Sequence, residues 1–271
     1  MRKWIAAAAV AEILFACALA SASVMKPDEA LVKAAGAAFP YETWNALLQK
    51  YVDGKGRVDY NALKGNAEDA GKLDKLFAAV AATGPTRHPE QFKTQAAKLA
   101  YYLDAYNILV WKNVLSRLPK LTNVDKEKAS FFFFTKFVVD GKEINLKDLE
   151  GDIVRPQFKD ARVHMALNCA SGGCPSLPTY AFTPAKLDEQ LSNEARKFCN
   201  EKRNVDFDAA SKRLKLSHIF DWYKEDFGKD PAKVIEWINS YRAADAKLPS
   251  DAKLEFVDYD WTLNDVGLLK R

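Results

Sequence analysis

The segment "QFKTQAAKLAYYLDAYNILVWKNVLSRL", from near Pro89 to near Leu118, constrains the fold more than any other. Leu99, Leu103, Tyr106, Val110, Trp111 and Val114 recur at three- and four-residue intervals. That spacing lays a continuous apolar stripe along a long helix, and such a stripe needs partners to cover it. Asn107 stands inside the stripe. A buried amide without partners costs about 1–3 kcal/mol, so Asn107 is expected to be satisfied in the core or to order a neighbouring loop.

Around this helix the chain mixes shorter elements. "PDEALVKAAGAAF" and "YETWNALLQKYV" read as helices, Val58 to Tyr60 as a short β-like piece, and the stretch from about Ala67 to Val80 as another helix. The aromatic and β-branched run Phe131 to Val139 predicts a strand, Asp140-Gly141 a hairpin turn, and Glu143 to Asn145 the returning strand. Leu146 to Arg155 predicts a helix ended by Pro156. "ARVHMALN" alternates and predicts a strand, and a helix is expected from Pro184 to about Lys202. "NVDFDAASKRLKLS" predicts two strands around a turn, followed by two helices and a strand at Leu254 to Asp258. The expectation is an α+β fold: one mainly helical domain over residues 56–271 with a small antiparallel sheet, preceded by a helical lead-in over 23–55.

With 48% hydrophobic and 28% charged residues, the composition is that of a soluble globular protein. The net charge of +4 is spread along the chain, so no basic face for nucleic acid is expected. Residues 1–22 read as a secretory leader: Arg2 and Lys3, an apolar stretch interrupted by Glu12, then Ala20-Ser21-Ala22 before the cut. A retained anchor and lipidation at Cys17, in "LFAC", are the other readings of this segment. No other segment is long and apolar enough to span a membrane. Export predicts a periplasmic or secreted protein whose mature chain keeps Cys169, Cys174 and Cys199 in an oxidising setting.

Most of the chemistry is concentrated in "VHMALNCASGGCPSLPTY". Cys169 sits where a strand would end in a turn of small residues, surrounded by backbone N–H groups that lower a thiol pKa. His164 is a candidate base, although its odd separation from Cys169 would put the two on opposite faces of a strand. Asp258, Asp260 and Asn264 supply candidate orienting groups. Cys169 and Cys174 are equally placed to close a small disulfide loop across Gly172 and Gly173. As metal ligands, His164, Cys169 and Cys174 fall one short of a structural zinc set, so no metal is expected. Cys199 reads as a small buried apolar residue, and His88 and His218 as surface residues.

"VDYNAL", "AYYLDAYNILVWKNVL", "VDGKEINLKDLEGDIVR", "VHMALNCASGGCPSLP", "FDWYKEDFG" and "YDWTLN", taken in order, resemble the family of domains of unknown function numbered 547. The resemblance implies that Asn107, Glu150, Arg155, His164, Cys169, Cys174, Asp226, Asp260, Trp261 and Asn264 occupy the family's motif positions. Some members look similar to papain- and transglutaminase-like cysteine enzymes, which implies a related fold and reaction. On that basis the chain is expected to be an exported thiol-dependent hydrolase or acyltransferase acting on an amide or ester in the cell envelope. Cys169, His164, Asp260 and Asn264 would be catalytic, with Asn107, Glu150, Arg155 and Trp261 binding substrate and no cofactor required. The alternative is a non-catalytic envelope binding module with a structural Cys169–Cys174 disulfide. Either way the expected partner is a small molecule or an envelope peptide or polymer.

Overall fold

A computed structural model describes residues 23–269, so the segment read as a leader, with Cys17, lies outside the described residues. Among these residues no helix is long and apolar enough to cross a membrane. The chain opens with β1 (Ser23–Met25) and the helices α1 (Glu29–Ala34), α2 (Tyr41–Tyr51), α3 (Tyr60–Gly65) and α4 (Ala67–Ala82). The long helix follows as α5 (Gln95–Arg117), started by the Thr94 hydroxyl accepting from the Ala97 N–H. Its burial goes well beyond one stripe, from Leu99 through Val114 with few breaks. Trp44 of α2 meets the Trp111 ring edge-on at 4.7 Å, and Tyr60 of α3 meets the same ring at 6.0 Å. A helix clad on nearly every side is the centre of the larger of two apolar cores.

The fold is α+β as expected, but the strands form two mixed sheets where one antiparallel sheet was predicted. In the first, β2 (Thr135–Val139) pairs antiparallel with β3 (Lys142–Asn145) and parallel with β1. The two-residue turn between β2 and β3 has Asp140 and Gly141 both at positive φ, as a twisted hairpin requires. In the second, β5 (Arg213–Ser217) pairs antiparallel with β4 (Val205–Asp208) and parallel with β6 (Lys253–Val257). Parallel pairing joins segments distant in sequence, and no local pattern announces it. The second sheet packs with α8 (Leu187–Asn200) and α11 (Pro231–Ser240) around a smaller core that holds Met165 and Cys199.

Three local expectations change. The strand predicted for Phe131–Val139 begins only at Thr135, because Ala129–Phe134 forms a wide helical turn. Phe131 is fully buried with its carbonyl accepting from Asn113 Nδ2, whereas Phe133 and Phe134 face solvent. Leu146–Arg155 is helical, but Pro156 does not end it. A similar wide turn, Leu149–Val154, separates α6 (Leu146–Asp148) from α7 (Arg155–Phe158). Pro156 falls in the first turn of α7, where its missing N–H costs nothing, and the helix closes at Lys159 in the left-handed region. The predicted strand "ARVHMALN" is instead a tight helical turn over Ala161–Met165. Val163 to Asn168 are buried consecutively, not alternately. Asn107 Nδ2 donates to the Ala166 carbonyl at 3.0 Å, and Asn107 Oδ1 accepts from the Asn168 N–H at 2.9 Å. One side-chain amide therefore supplies the partners that a neighbouring strand would have given.

Candidate functional site

Asn168 anchors the loop that follows. Its Oδ1 accepts from the Ala170 N–H at 2.9 Å and from Asn264 Nδ2 at 3.1 Å, and its Nδ2 donates to the Pro175 carbonyl at 2.8 Å. Ala170 is held at a φ of 62°, a conformation L residues rarely adopt, while its carbonyl accepts from the Asn264 N–H. Tyr60 OH completes the set by donating to Asn264 Oδ1 at 2.9 Å. Gly172 and Gly173 donate their N–H groups to the Thr262 and Asp260 carbonyls, both at 2.7 Å. A Cβ on Gly173 would stand 2.7 Å from the Tyr259 ring, so these glycines permit a close approach between two segments.

This loop carries a Cys169–Cys174 disulfide, with Cα atoms 6.2 Å apart. The sulfurs lie among hydroxyls. Ser171 Oγ is 2.9 Å from Cys169 Sγ, and Tyr259 OH is 3.3 Å from both sulfurs. Cys199, in contrast, is fully buried in α8, and burial pushes its thiol up to about 12.

Both sulfurs line a cavity of about 330 Å³. Tyr106 of α5, Leu167 and His164 form its buried inner end. Tyr259 and Trp261 line one wall, their rings 4.6 Å apart, and Trp222 stacks on Trp261 at 5.8 Å. Trp222 and Phe133, each 45% exposed, stand at the mouth with Lys128 and Lys147. Lys128 Nζ lies over the Trp261 ring at 4.4 Å.

His164 sits between two carboxylates. Nε2 is 2.7 Å from Asp226 Oδ2 and Nδ1 is 3.7 Å from Glu150 Oε1, with the imidazole side chain only 1% exposed. The Tyr223 ring stacks on the imidazole at 3.9 Å, and the Arg155 guanidinium lies over the Tyr223 ring, 4.9 Å from its centroid. Arg155 Nε also donates to Asp226 Oδ2 at 2.6 Å. The His164 hydrogen bond, helped by Arg155, holds the Asp226 carboxyl well below the usual range. Burial, together with the Glu150 charge and hydrogen bond, pushes the Tyr223 phenol up. Among the described residues no group of three or more His, Cys, Asp and Glu is arranged to hold a metal ion.

The expected residues thus fall into separate roles. Cys169, His164, Glu150 and Trp261 meet at the cavity, and Arg155 braces it through Asp226 and Tyr223. Asn107 and Asn264 hold the loop from behind. Asp260 Oδ1 accepts from the Thr262 N–H at 2.9 Å, within its own turn. The groups beside His164 are Asp226 and Glu150, not Asp260 or Asn264. Asp226 was expected only as a motif position, and Tyr223, Trp222 and Tyr259 were not named among the expected site residues. "FDWYKEDFG", which runs into α10 (Lys224–Phe227), contains Trp222, Tyr223 and Asp226, and "YDWTLN" begins with Tyr259, so the signal lay in the motifs themselves.

Residues 89–199 match the model of a family described as "Protein of unknown function, DUF547". Over that segment the chain is similar to this family. The matched stretch contains Asn107, Glu150, Arg155, His164 and both bonded cysteines, whereas Asp226, Tyr259, Trp261 and Asn264 lie beyond it. Neither the curated proteins nor the solved structures gave a match. A likeness to a family of unknown function supplies no reaction, so the function has to be argued from the cavity.

Proposed function

We propose that this protein is a ligand-binding module acting outside the cytoplasm, whose aromatic cleft takes a small molecule with an apolar or aromatic body. The observation that carries this reading is the engagement of both thiol-enzyme candidates. Cys169 is bonded to Cys174, and both His164 nitrogens face carboxylates. A nucleophilic cysteine needs a free thiolate with a base in reach, whereas a largely preformed, aromatic-lined cavity with a few polar groups is the usual form of a ligand site. The leader-like N-terminus and the disulfide both suit an oxidising compartment.

An environment-sensitive apolar dye should bind the unreduced protein with quenching of tryptophan fluorescence. Trp261→Ala should weaken that binding about tenfold, in line with the loss of one large aromatic contact. Equal affinity in the variant would remove the cleft as the site. The thiol hydrolase remains the second reading, because Cys169 and His164 line one cavity. Its signature is rapid labelling of Cys169 by iodoacetamide in native protein without reductant; the binding module shows no such labelling.

A further inference from the structure

The two sulfurs of the disulfide occupy unequal positions. Cys174 is buried to 2% exposure, and Cys169 is partly exposed at the cavity. Three donors converge on Cys174 Sγ: the Cys169 N–H at 2.9 Å, Tyr259 OH at 3.3 Å and Ser171 Oγ at 3.4 Å. A disulfide sulfur is a weak acceptor, so this is more donation than the closed bond can use. A thiolate would use all of it. The Ser171 and Tyr259 hydroxyls carry one proton each and also reach Cys169 Sγ, at 2.9 and 3.3 Å. They are shared between the sulfurs while the bond is closed, are 3.1 Å from each other, and lie within reach of Cys174 Sγ when the bond opens.

The loop does not depend on the sulfur bond to keep this geometry. Gly172 and Gly173 remain tied to Thr262 and Asp260, and Arg203 Nη1 donates to the Gly172 and Cys174 carbonyls, both at 3.1 Å. Cys174 therefore stays within its donor set after opening. Exchange is fast when the attacked sulfur is accessible and the leaving thiolate is stabilised, and this disulfide meets both conditions at one wall of an aromatic cleft.

We propose that Cys169–Cys174 is a thiol–disulfide exchange site for small thiols with an apolar or aromatic body, Cys169 being the sulfur attacked and Cys174 the leaving group. The ligand thiolate forms a bond to Cys169 Sγ as the Cys169–Cys174 bond breaks, and the electron pair departs on Cys174, held by the three donors. A second thiolate then attacks the ligand sulfur of the mixed disulfide and releases Cys169 as a thiolate. Two ligand thiols are oxidised to one disulfide, the protein disulfide is reduced to two thiols, and the ligand protons balance through solvent and the cysteine sulfurs. The aromatic cleft supplies the selection; the sulfur geometry supplies the reaction. Selection therefore rests on the binding reading above, and the reaction does not.

The test is the rate at which native protein is opened by benzyl mercaptan and by glutathione at matched thiolate concentration, read by acid quench and peptide mass. Benzyl mercaptan should open the bond about tenfold faster, with the mixed disulfide on Cys169. Tyr259→Phe and Ser171→Ala should each slow opening about three- to tenfold while opening in denaturant stays unchanged, a pattern that a merely structural role would not produce. Opening no faster than global unfolding, a mixed disulfide on Cys174, or unchanged rates in both variants would overturn the exchange site. Equal rates for the two thiols would overturn the selection alone, and a failure of dye binding to the unreduced protein bears only on the cleft.

Discussion

Asn107→Ala offers the sharpest test of how the Cys169 loop is held. The asparagine bonds the Ala166 carbonyl at 3.0 Å and the Asn168 N–H at 2.9 Å, with all three residues buried. Alanine removes both bonds and leaves a backbone acceptor and a backbone donor without partners. Each orphaned group costs about 1–3 kcal/mol, so the variant should lose about 2–6 kcal/mol, the low end applying if water enters the space. For a chain of this size each kcal/mol corresponds to about 2–4 °C, so a fall in Tm of roughly 4–24 °C is expected. The effect should also be local: amide exchange at Asn168 should accelerate ahead of exchange in α5. Asn107→Asp is the companion variant. It keeps an acceptor for Asn168 but turns a carboxylate oxygen toward the Ala166 carbonyl, so it should rescue little. A Tm within about 1 °C of the parent, with Asn168 exchange unchanged, would refute the idea that this amide replaces a strand partner.

Two further substitutions test charge placement. Asp104 is fully buried, with Oδ1 accepting from Trp44 Nε1 and the Phe182 N–H at 3.2 Å each and Oδ2 unpartnered, and burial pushes its carboxyl well above the usual range. A carboxyl raised on folding contributes its full stability below the unfolded value near 4 and loses it as pH rises. Asp104→Asn keeps the accepting oxygen, so by thermal melts it should be more stable than the parent at pH 8 and lose that advantage near pH 4; a pH-independent difference refutes a buried neutral acid. Asp226 has the opposite sign. Its carboxyl is depressed by His164 and Arg155, so its contribution is complete above about 4 and is lost as pH falls below that. Asp226→Asn should be less stable than the parent at pH 7, and the gap should shrink in acid; urea titrations showing a constant gap from pH 7 to pH 3 would count against the ion cluster.

The readable part of the fold is the part set by local chemistry. The Asp140-Gly141 turn needed residues tolerant of positive φ, and the α5 stripe needed covering, so both were legible. Asn107 was legible as a buried amide needing partners, and its partners are the loop it was expected to order. "ARVHMALN" misled because alternating polarity normally reports alternating burial, and here every side chain from Val163 to Asn168 is inside. The four phenylalanines misled for the converse reason. A run without alternation fits either a buried strand or a helical turn, and only the exposed Phe133 and Phe134 distinguish them.

That misreading bears directly on the candidate site. The odd separation of His164 and Cys169 opposes a catalytic pair only if both lie on one strand, and the observed turn removes that premise. The two residues do reach one cavity, but each is claimed by groups from elsewhere in the chain. Cys169 meets Cys174, Ser171 and Tyr259, the last 90 residues away, and His164 meets Asp226, 62 residues away. Neither contact leaves a periodic trace, because β6 and α10 bring Tyr259 and Asp226 in through a core the helical pattern does not specify. The matched segment, residues 89–199, therefore carries the loop, the histidine, Cys174, Ser171 and Glu150 but neither Tyr259 nor Asp226. A variant altered only within that segment would test half a site. The informative perturbations are Tyr259 and Asp226, because they change the surroundings of the sulfur and the imidazole while leaving both in place.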